Sequence, residues 1–177
     1  MNQIIDEMNI MFTELNENQV DEYISNIKNH INTHDEGFSI IGLGAGRMGY
    51  ALRSFIMRLS HMGFNATMIG DTNVPRVTES SLIIVNSSSG ETPSILQYTQ
   101  QAINEGGKIF LTCCNNDSSI AQISNHMIEI PSIDSKQLMK SPYEQFTMLL
   151  YDYLVIKLMK SLNLDTIKVS NNHSILE

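Results

Sequence analysis

The 177-residue sequence predicts an α/β fold, a parallel and doubly wound sheet with helices on both faces. Three observations predict it. From residue 38 onward, short apolar runs of strand length alternate with longer stretches of helical periodicity. Two of the runs end directly in glycine- or serine-rich turns, GLGAGRMG (42–49) and NSSSGETPS (86–94), each of which opens a helix. Gly106-Gly107 behind one helical stretch and Asp117-Ser118-Ser119 ahead of another are stop and start signals.

The elements follow in order. The first 34 residues read as two helices, with Ile4, Ile5, Met8, Met11, Phe12 and Leu15 on one stripe and Val20, Tyr23, Ile24, Ile27 and Ile31 on a second. Asn16-Glu17-Asn18 turns the chain between them, with Asn18 the candidate cap. Residues 38–43 are a buried strand, 45–61 a helix and 66–69 a short strand. The unit then repeats as strand 82–85, helix 92–104, strand 108–112, a short helix over 119–124 and strand 127–130. A last helix over 142–162 is apolar almost all round, from Tyr143 and Phe146 to Met159 and Leu162. Such a helix is covered on more than one side. A subunit interface is a natural second cover in a chain this short, so a homo-oligomer is expected. The chain therefore reads as one domain: N-terminal helices (1–34), a parallel α/β core (36–131), a long apolar helix (141–163) and a C-terminal tail (164–177).

Composition narrows the function. With 11 Lys+Arg against 19 Asp+Glu the formal charge is −8, and no basic run offers the footprint of a nucleic-acid or anionic-membrane binder. A small anion is still allowed, because backbone N–H groups at helix N-termini bind one without lysines. No apolar stretch reaches the roughly 20 residues of a membrane span, and MNQIIDEMN lacks the basic start of a secretory signal, which predicts a cytoplasmic protein. Cys113 and Cys114 are neighbours, so they form neither a disulfide framework nor a C-x-x-C motif and read as small side chains closing a strand. His30, His34, His61 and His126 are scattered without ligand spacing, and no metal is expected.

Gly44, Gly46 and Gly49 spell G-x-G-x-x-G, and Asp71 stands near the place of the acid that holds a dinucleotide ribose. The second loop has no part in that fingerprint. There Ser87, Ser88, Ser89 and Thr92 bring hydroxyls and backbone N–H groups to one helix N-terminus, a phosphate-binding chemistry. One hydroxyl would suffice as a cap. Glu91 lies in the same turn, where the helix dipole favours it. If the strand order is 2-1-3-4-5, the winding reverses between the strands that end in these two loops, and both line one crevice.

Together, GLGAGRMG, SSSGET and SPYEQF…LLYDYLVIKLM resemble the sugar isomerase (SIS) domain family, and most of all its 6-phospho-3-hexuloisomerase branch. The likeness runs nearly end to end, from IGLGAGRMGYALRSFIMRLSHMGF through SLIIVNSSSGET and QAINEGGKIFLT to LNLDTIKVSNNHSILE. It implies a three-layer, flavodoxin-like fold with a five-stranded parallel sheet, a cytoplasmic homotetramer, and no metal or organic cofactor. It also implies an isomerase that interconverts 3-hexulose 6-phosphate and fructose 6-phosphate through a cis-enediol. By the same resemblance Ser87, Ser89 and Thr92 hold the sugar phosphate, and Gly46 and Arg47 lie against the substrate chain. Glu144 falls on the proton-transfer base, and His173 on a histidine that reaches a neighbouring subunit's site. From its position alone, Glu144 is equally an N-terminal glutamate that stabilises its helix by about 0.3 to 1 kcal/mol through the dipole.

Differences from the family pattern cluster around the sugar. Met48 stands where serine is usual, Asn73-Val74-Pro75 where Thr-Thr-Pro is expected, Ser88 where glycine is common, and residues 131–141 are several short. The competing readings are an isomerase for another sugar phosphate, a non-catalytic sugar-phosphate sensor, and a dinucleotide-binding protein.

Overall fold

The computed structural model describes residues 2–34 and 37–173. Five strands, β1 (Ile40–Gly44), β2 (Ala66–Met68), β3 (Leu82–Asn86), β4 (Lys108–Cys113) and β5 (His126–Glu129), form one sheet. Its order is β2-β1-β3-β4-β5 and every pair is parallel, in register Ile40 with Ala66 and Leu82, Leu82 with Lys108, and Phe110 with His126.

Successive strand side chains point to opposite faces, and the apolar runs divide accordingly. Ile40, Leu82, Ile84, Phe110 and Ile128 meet α1 (Asn2–Glu14), α2 (Glu17–Thr33), α3 (Gly46–His61) and α6 (Ser141–Ser161). Ile41, Leu43, Ile83, Val85, Ile109, Leu111 and Cys113 meet α4 (Pro93–Asn104) and α5 (Ser119–Gln122) on the other face. Helices α3 and α6 pack side by side, and the rings of Phe55 and Tyr151 stack between them with centroids 4.9 Å apart.

Two local expectations are corrected. Asn16, not Asn18, caps α2: its extended backbone aims Oδ1 at the N–H groups of Asn18 and Gln19, at 3.1 and 3.4 Å. The segment after α6 is not all tail. Leu164 packs on the core and Asp165 caps a short α7 (Thr166–Asn171), accepting the Ile167 N–H at 2.9 Å. Residues 174–177, the end of the tail, lie outside the described residues. Finally, one chain covers α6 on one side only. Tyr143, Phe146, Leu150, Tyr151, Leu154 and Leu158 are buried, but Met148, Leu149 and Ile156 remain 38%, 45% and 65% exposed. Among the described residues, none supplies a second cover for this helix.

Candidate functional site

The winding of the sheet reverses between β1 and β3, and the carboxyl ends of those strands carry the two loops singled out in the sequence. The glycines of the first loop have local causes. Gly44 and Gly49 pack backbone on backbone, since a Cβ on Gly49 would lie 2.6 Å from the Gly44 carbonyl oxygen. Gly46 takes a left-handed φ of 56° with open space above it, so the chain can pass close to a ligand there. Asp71 is engaged elsewhere: it accepts Arg53 Nη1 at 2.9 Å and the Met68 N–H at 3.0 Å. These bonds, the backbone one first, hold its carboxyl below the usual range. The dinucleotide reading therefore loses its acidic residue.

The helix N-termini are treated differently at the site and away from it. Among the described residues, Asn16, Ser118 and Asp165 cap α2, α5 and α7 with side-chain bonds. Ala45, Thr92 and Lys140, which precede α3, α4 and α6, make none. The first turns of these helices are thus free of any side-chain acceptor, the arrangement that suits an incoming anion or polar ligand.

In the serine loop Thr92 stands at the N-cap of α4, yet its hydroxyl faces Ser87 Oγ at 3.4 Å rather than the helix. Ser87 and Ser88 are buried and Ser89 is exposed. Ser89 Oγ accepts the Glu91 N–H at 3.1 Å, and Ser88 Oγ points back to Cys114 Sγ at 3.7 Å. Gly90, with φ of 65°, closes the turn against Ser118. Glu91 is turned away, because its carboxylate takes the Ser119 N–H at 2.7 Å, a bond that also keeps it below the usual carboxylate range. Its place is a brace between the loop and α5.

Glu144 lies in the first turn of α6 beside Arg47 of α3, with Arg47 Nε 3.0 Å from Glu144 Oε2. The carboxylate is 14% exposed and the guanidinium 62%. The contact is one of charge without hydrogen-bonding alignment, so buried Oε2 has no hydrogen-bond donor among the described residues. Arg47 also reaches Ser141 Oγ at 3.5 Å. Arg47 and Glu144 stand together on the wall of an apolar cleft of about 730 Å³ between α1, α3 and α6, lined by Ile4, Ile5, Phe12, Tyr50, Met148 and Leu149 among others. None of residues 87–92 lines it.

The short stretch between β5 and α6 is strapped down from α1. Buried Glu7 accepts Gln137 Nε2 at 2.6 Å, Gln3 Nε2 at 2.9 Å and Ser135 Oγ at 3.0 Å. Gln137 in turn pairs with Gln145, the residue after Glu144, Gln145 Nε2 meeting Gln137 Oε1 at 2.8 Å. Sequence reasoning passed over Glu7, Asn86, Thr112 and Tyr143. Asn86, Thr112 and Tyr143 lie inside quoted motifs, whereas Glu7 gives no local signal.

His173 is not brought to Glu144. Its ring lies 5.0 Å from that of His61, at the far end of α3, and Asn172 Nδ2 donates to the His61 carbonyl at 2.8 Å. From Arg47 to His61 the helix runs about 21 Å at roughly 1.5 Å per residue. Within one chain the two candidate catalytic residues stand at opposite ends of α3. Among the described residues, no group of three His, Cys, Asp or Glu side chains could hold a metal ion, and no helix is long and apolar enough to cross a membrane.

Comparison with known proteins gives consistent results. The SIS domain pattern matches residues 35–157. The chain is 35% identical over 169 residues to a 3-hexulose-6-phosphate isomerase of Bacillus subtilis, covering 88% of this chain and 90% of that protein. It is 30% identical over 154 residues to a 3-hexulose-6-phosphate isomerase of Methanocaldococcus jannaschii, covering 86% and 85%. A crystal structure of a hypothetical protein from Methanococcus jannaschii, for which a function of 3-hexulose-6-phosphate isomerase is inferred, superposes with a TM-score of 0.84. That superposition covers 99% of this chain and 98% of that one, at 28% identity.

Proposed function

The chain belongs to the SIS domain family, and on that premise we propose that it is a sugar-phosphate isomerase that interconverts 3-hexulose 6-phosphate and fructose 6-phosphate. The observation that carries the reading is Glu144: a mostly buried carboxylate, held by Arg47, with one oxygen that no hydrogen-bond donor reaches among the described residues. It stands where α3 and α6, neither with a side-chain cap, begin. A solvated surface glutamate would have neither the burial nor the unsatisfied oxygen.

The chemistry follows from these groups. Ser89, Thr92 and Ser87, with the backbone N–H groups ahead of α4, take the phosphate. The open backbone at Gly46 lets the sugar chain lie against the first turn of α3. Glu144 removes the proton from C2 of the 3-ketone while O3 gains one, which gives the cis-enediol across C2 and C3. Return of a proton to C3 and loss of the O2 proton yield the 2-ketone. One carboxylate serves both carbons, and such a positioned group contributes about 10² to 10⁴ in rate. Arg47 fixes that carboxylate. A cytoplasmic setting belongs to this proposal.

The assembly is part of the same proposal. The cleft lined by Ile4, Ile5, Phe12, Met148 and Leu149 is too apolar for a sugar and suits a second copy of the chain, so that a homo-oligomer, a tetramer by the family's pattern, covers the open side of α6. By the family's pattern, His173 of a neighbouring copy serves the Glu144 end of α3; within one chain it lies beside His61. The test of function is conversion. Wild-type protein supplied with 3-hexulose 6-phosphate should form fructose 6-phosphate, and should favour it over arabinose 5-phosphate and glucosamine 6-phosphate. A phosphate ester that stabilises the protein without being turned over would favour the sensor reading. A ligand at 100 times its Kd adds about 2.7 kcal/mol.

A further inference from the structure

A buried polar network joins the three motifs of the site at one side chain, that of Asn86. Asn86 closes β3 at the mouth of the serine loop and is almost wholly buried. Its Nδ2 donates to the Met48 carbonyl at 3.0 Å, which ties it to the first turn of α3. Its Oδ1 accepts the Tyr143 hydroxyl at 2.6 Å and lies 3.2 Å from Thr112 Oγ1. Tyr143 immediately precedes Glu144 in α6, and its hydroxyl is also 2.8 Å from the Thr112 carbonyl of β4. Burial pushes this phenol far above its usual range, so it remains a proton donor. A second tyrosine, Tyr151, two turns further along α6, is buried as completely and is paired with Thr112 Oγ1 at 2.8 Å. It meets Asn86 only through that Thr112 hydroxyl and makes no direct bond to it.

We propose that Tyr143 and Asn86 are positioning residues, which hold the Glu144 turn of α6 in register with the serine loop and the first turn of α3. The assignment rests on Glu144 acting as the base. An amide whose two ends are spent on α3 and α6, and whose backbone leads into the serine loop, fixes the three pieces at once. Buried hydrogen bonds of this kind are directional, whereas the apolar packing of α6 tolerates small sliding. A carboxylate that drifts by about 1 Å loses roughly 10² in rate, so the network acts on turnover rather than on affinity.

The test compares two isosteric changes in the whole protein, Tyr143→Phe and Tyr151→Phe. Each deletes one buried hydroxyl from the same helix. Tyr143→Phe is expected to lower kcat about 10-fold to 10²-fold with KM within about threefold. Tyr151→Phe is expected to leave kcat within about twofold, although both lower Tm. Because Tyr143 and Asn86 act as a unit, adding Asn86→Ser to Tyr143→Phe should cost less in kcat than the product of the single effects. If Tyr143→Phe is too unstable to assay, Asn86→Ser alone carries the same expectation of a kcat loss. Wild-type kcat in Tyr143→Phe, or equal kcat losses in the two tyrosine variants, would overturn the proposal. An inactive wild type would instead overturn the isomerase reading on which it rests.

Discussion

Replacing Gly49 by alanine tests whether the first glycine loop is built for close packing of helix on strand. In an open helix the change would stabilise the protein, because alanine exceeds glycine in helix propensity by about 0.8 to 1 kcal/mol. Here the new Cβ would meet the Gly44 carbonyl oxygen at 2.6 Å and its carbon at 3.0 Å. Reaching the roughly 3.3 Å of a close carbon–oxygen contact requires α3 to back away by about 0.7 Å. The obstacle is backbone and cannot swing aside. Overpacking of this kind costs about 1 to 3 kcal/mol, and the rigid obstacle places it in the upper half of that range. Subtracting the propensity gain leaves a net loss of about 1 to 2 kcal/mol, or a Tm lower by about 2 to 8 °C for a chain of this size. The shift also carries Arg47 away from Glu144, so turnover should fall about tenfold or more. Thermal unfolding and steady-state isomerisation measure both. A Tm that rises, the sign expected of a glycine in open space, would refute the packing argument.

Other perturbations probe separate parts of the account. The double change Ser89→Ala/Thr92→Ala should raise KM for fructose 6-phosphate by tenfold or more, at about 1.4 kcal/mol per decade, with the fold retained; unchanged KM would remove the phosphate from this loop. Glu7, held below its ordinary value of 4.5 chiefly by Gln137, stabilises the fold while ionised. Its contribution is complete above that ordinary value and is lost as pH falls through the lower folded value. The stability gap between wild type and Glu7→Gln should therefore be constant near neutrality and shrink as the pH drops below the ordinary value of 4.5, as urea titrations across pH would show. A gap that widened on acidification would mean the carboxylate is not what the strap uses. Leu149→Asp, on the open side of α6, should shift sedimentation toward the monomer, and an unaltered assembly would place the interface elsewhere.

The elements legible in the sequence are those with a simple physical signature. The strands announced themselves as short apolar runs because the sheet is covered on both faces, and α3 and α4 because glycine or proline and serine mark their starts. Ser118 is readable as a start signal; Asn16 and Asn18 carry the same capping side chain, and only the extended backbone of Asn16 decides between them. The sheet order carries no local signature; it enters as a premise, and the shared crevice of the two loops follows from it. What stayed hidden depends on contacts between distant positions. The bond of Tyr143 to Asn86 spans 57 residues and that of Gln137 to Glu7 spans 130. No periodicity carries such a pairing. Helix α7 has no sequence signature because six residues are too few to show a stripe, and its cap, Asp165, stands in a stretch where apolar and polar residues alternate. The apolar circumference of α6 was legible, but only the folded chain shows which side its own domain leaves open.

The central claim, that Glu144 moves the proton, is tested most directly by solvent isotope exchange. Fructose 6-phosphate incubated with wild-type protein in deuterated water should acquire deuterium at C3, the carbon that loses its proton on the way to the enediol. Glu144→Gln keeps the size of the side chain but gives up the charge that faces Arg47, and it cannot accept a proton. The account predicts exchange slowed by at least about 10², with substrate affinity within a few-fold of wild type. Exchange at the wild-type rate in that variant would contradict it and place the base on another residue.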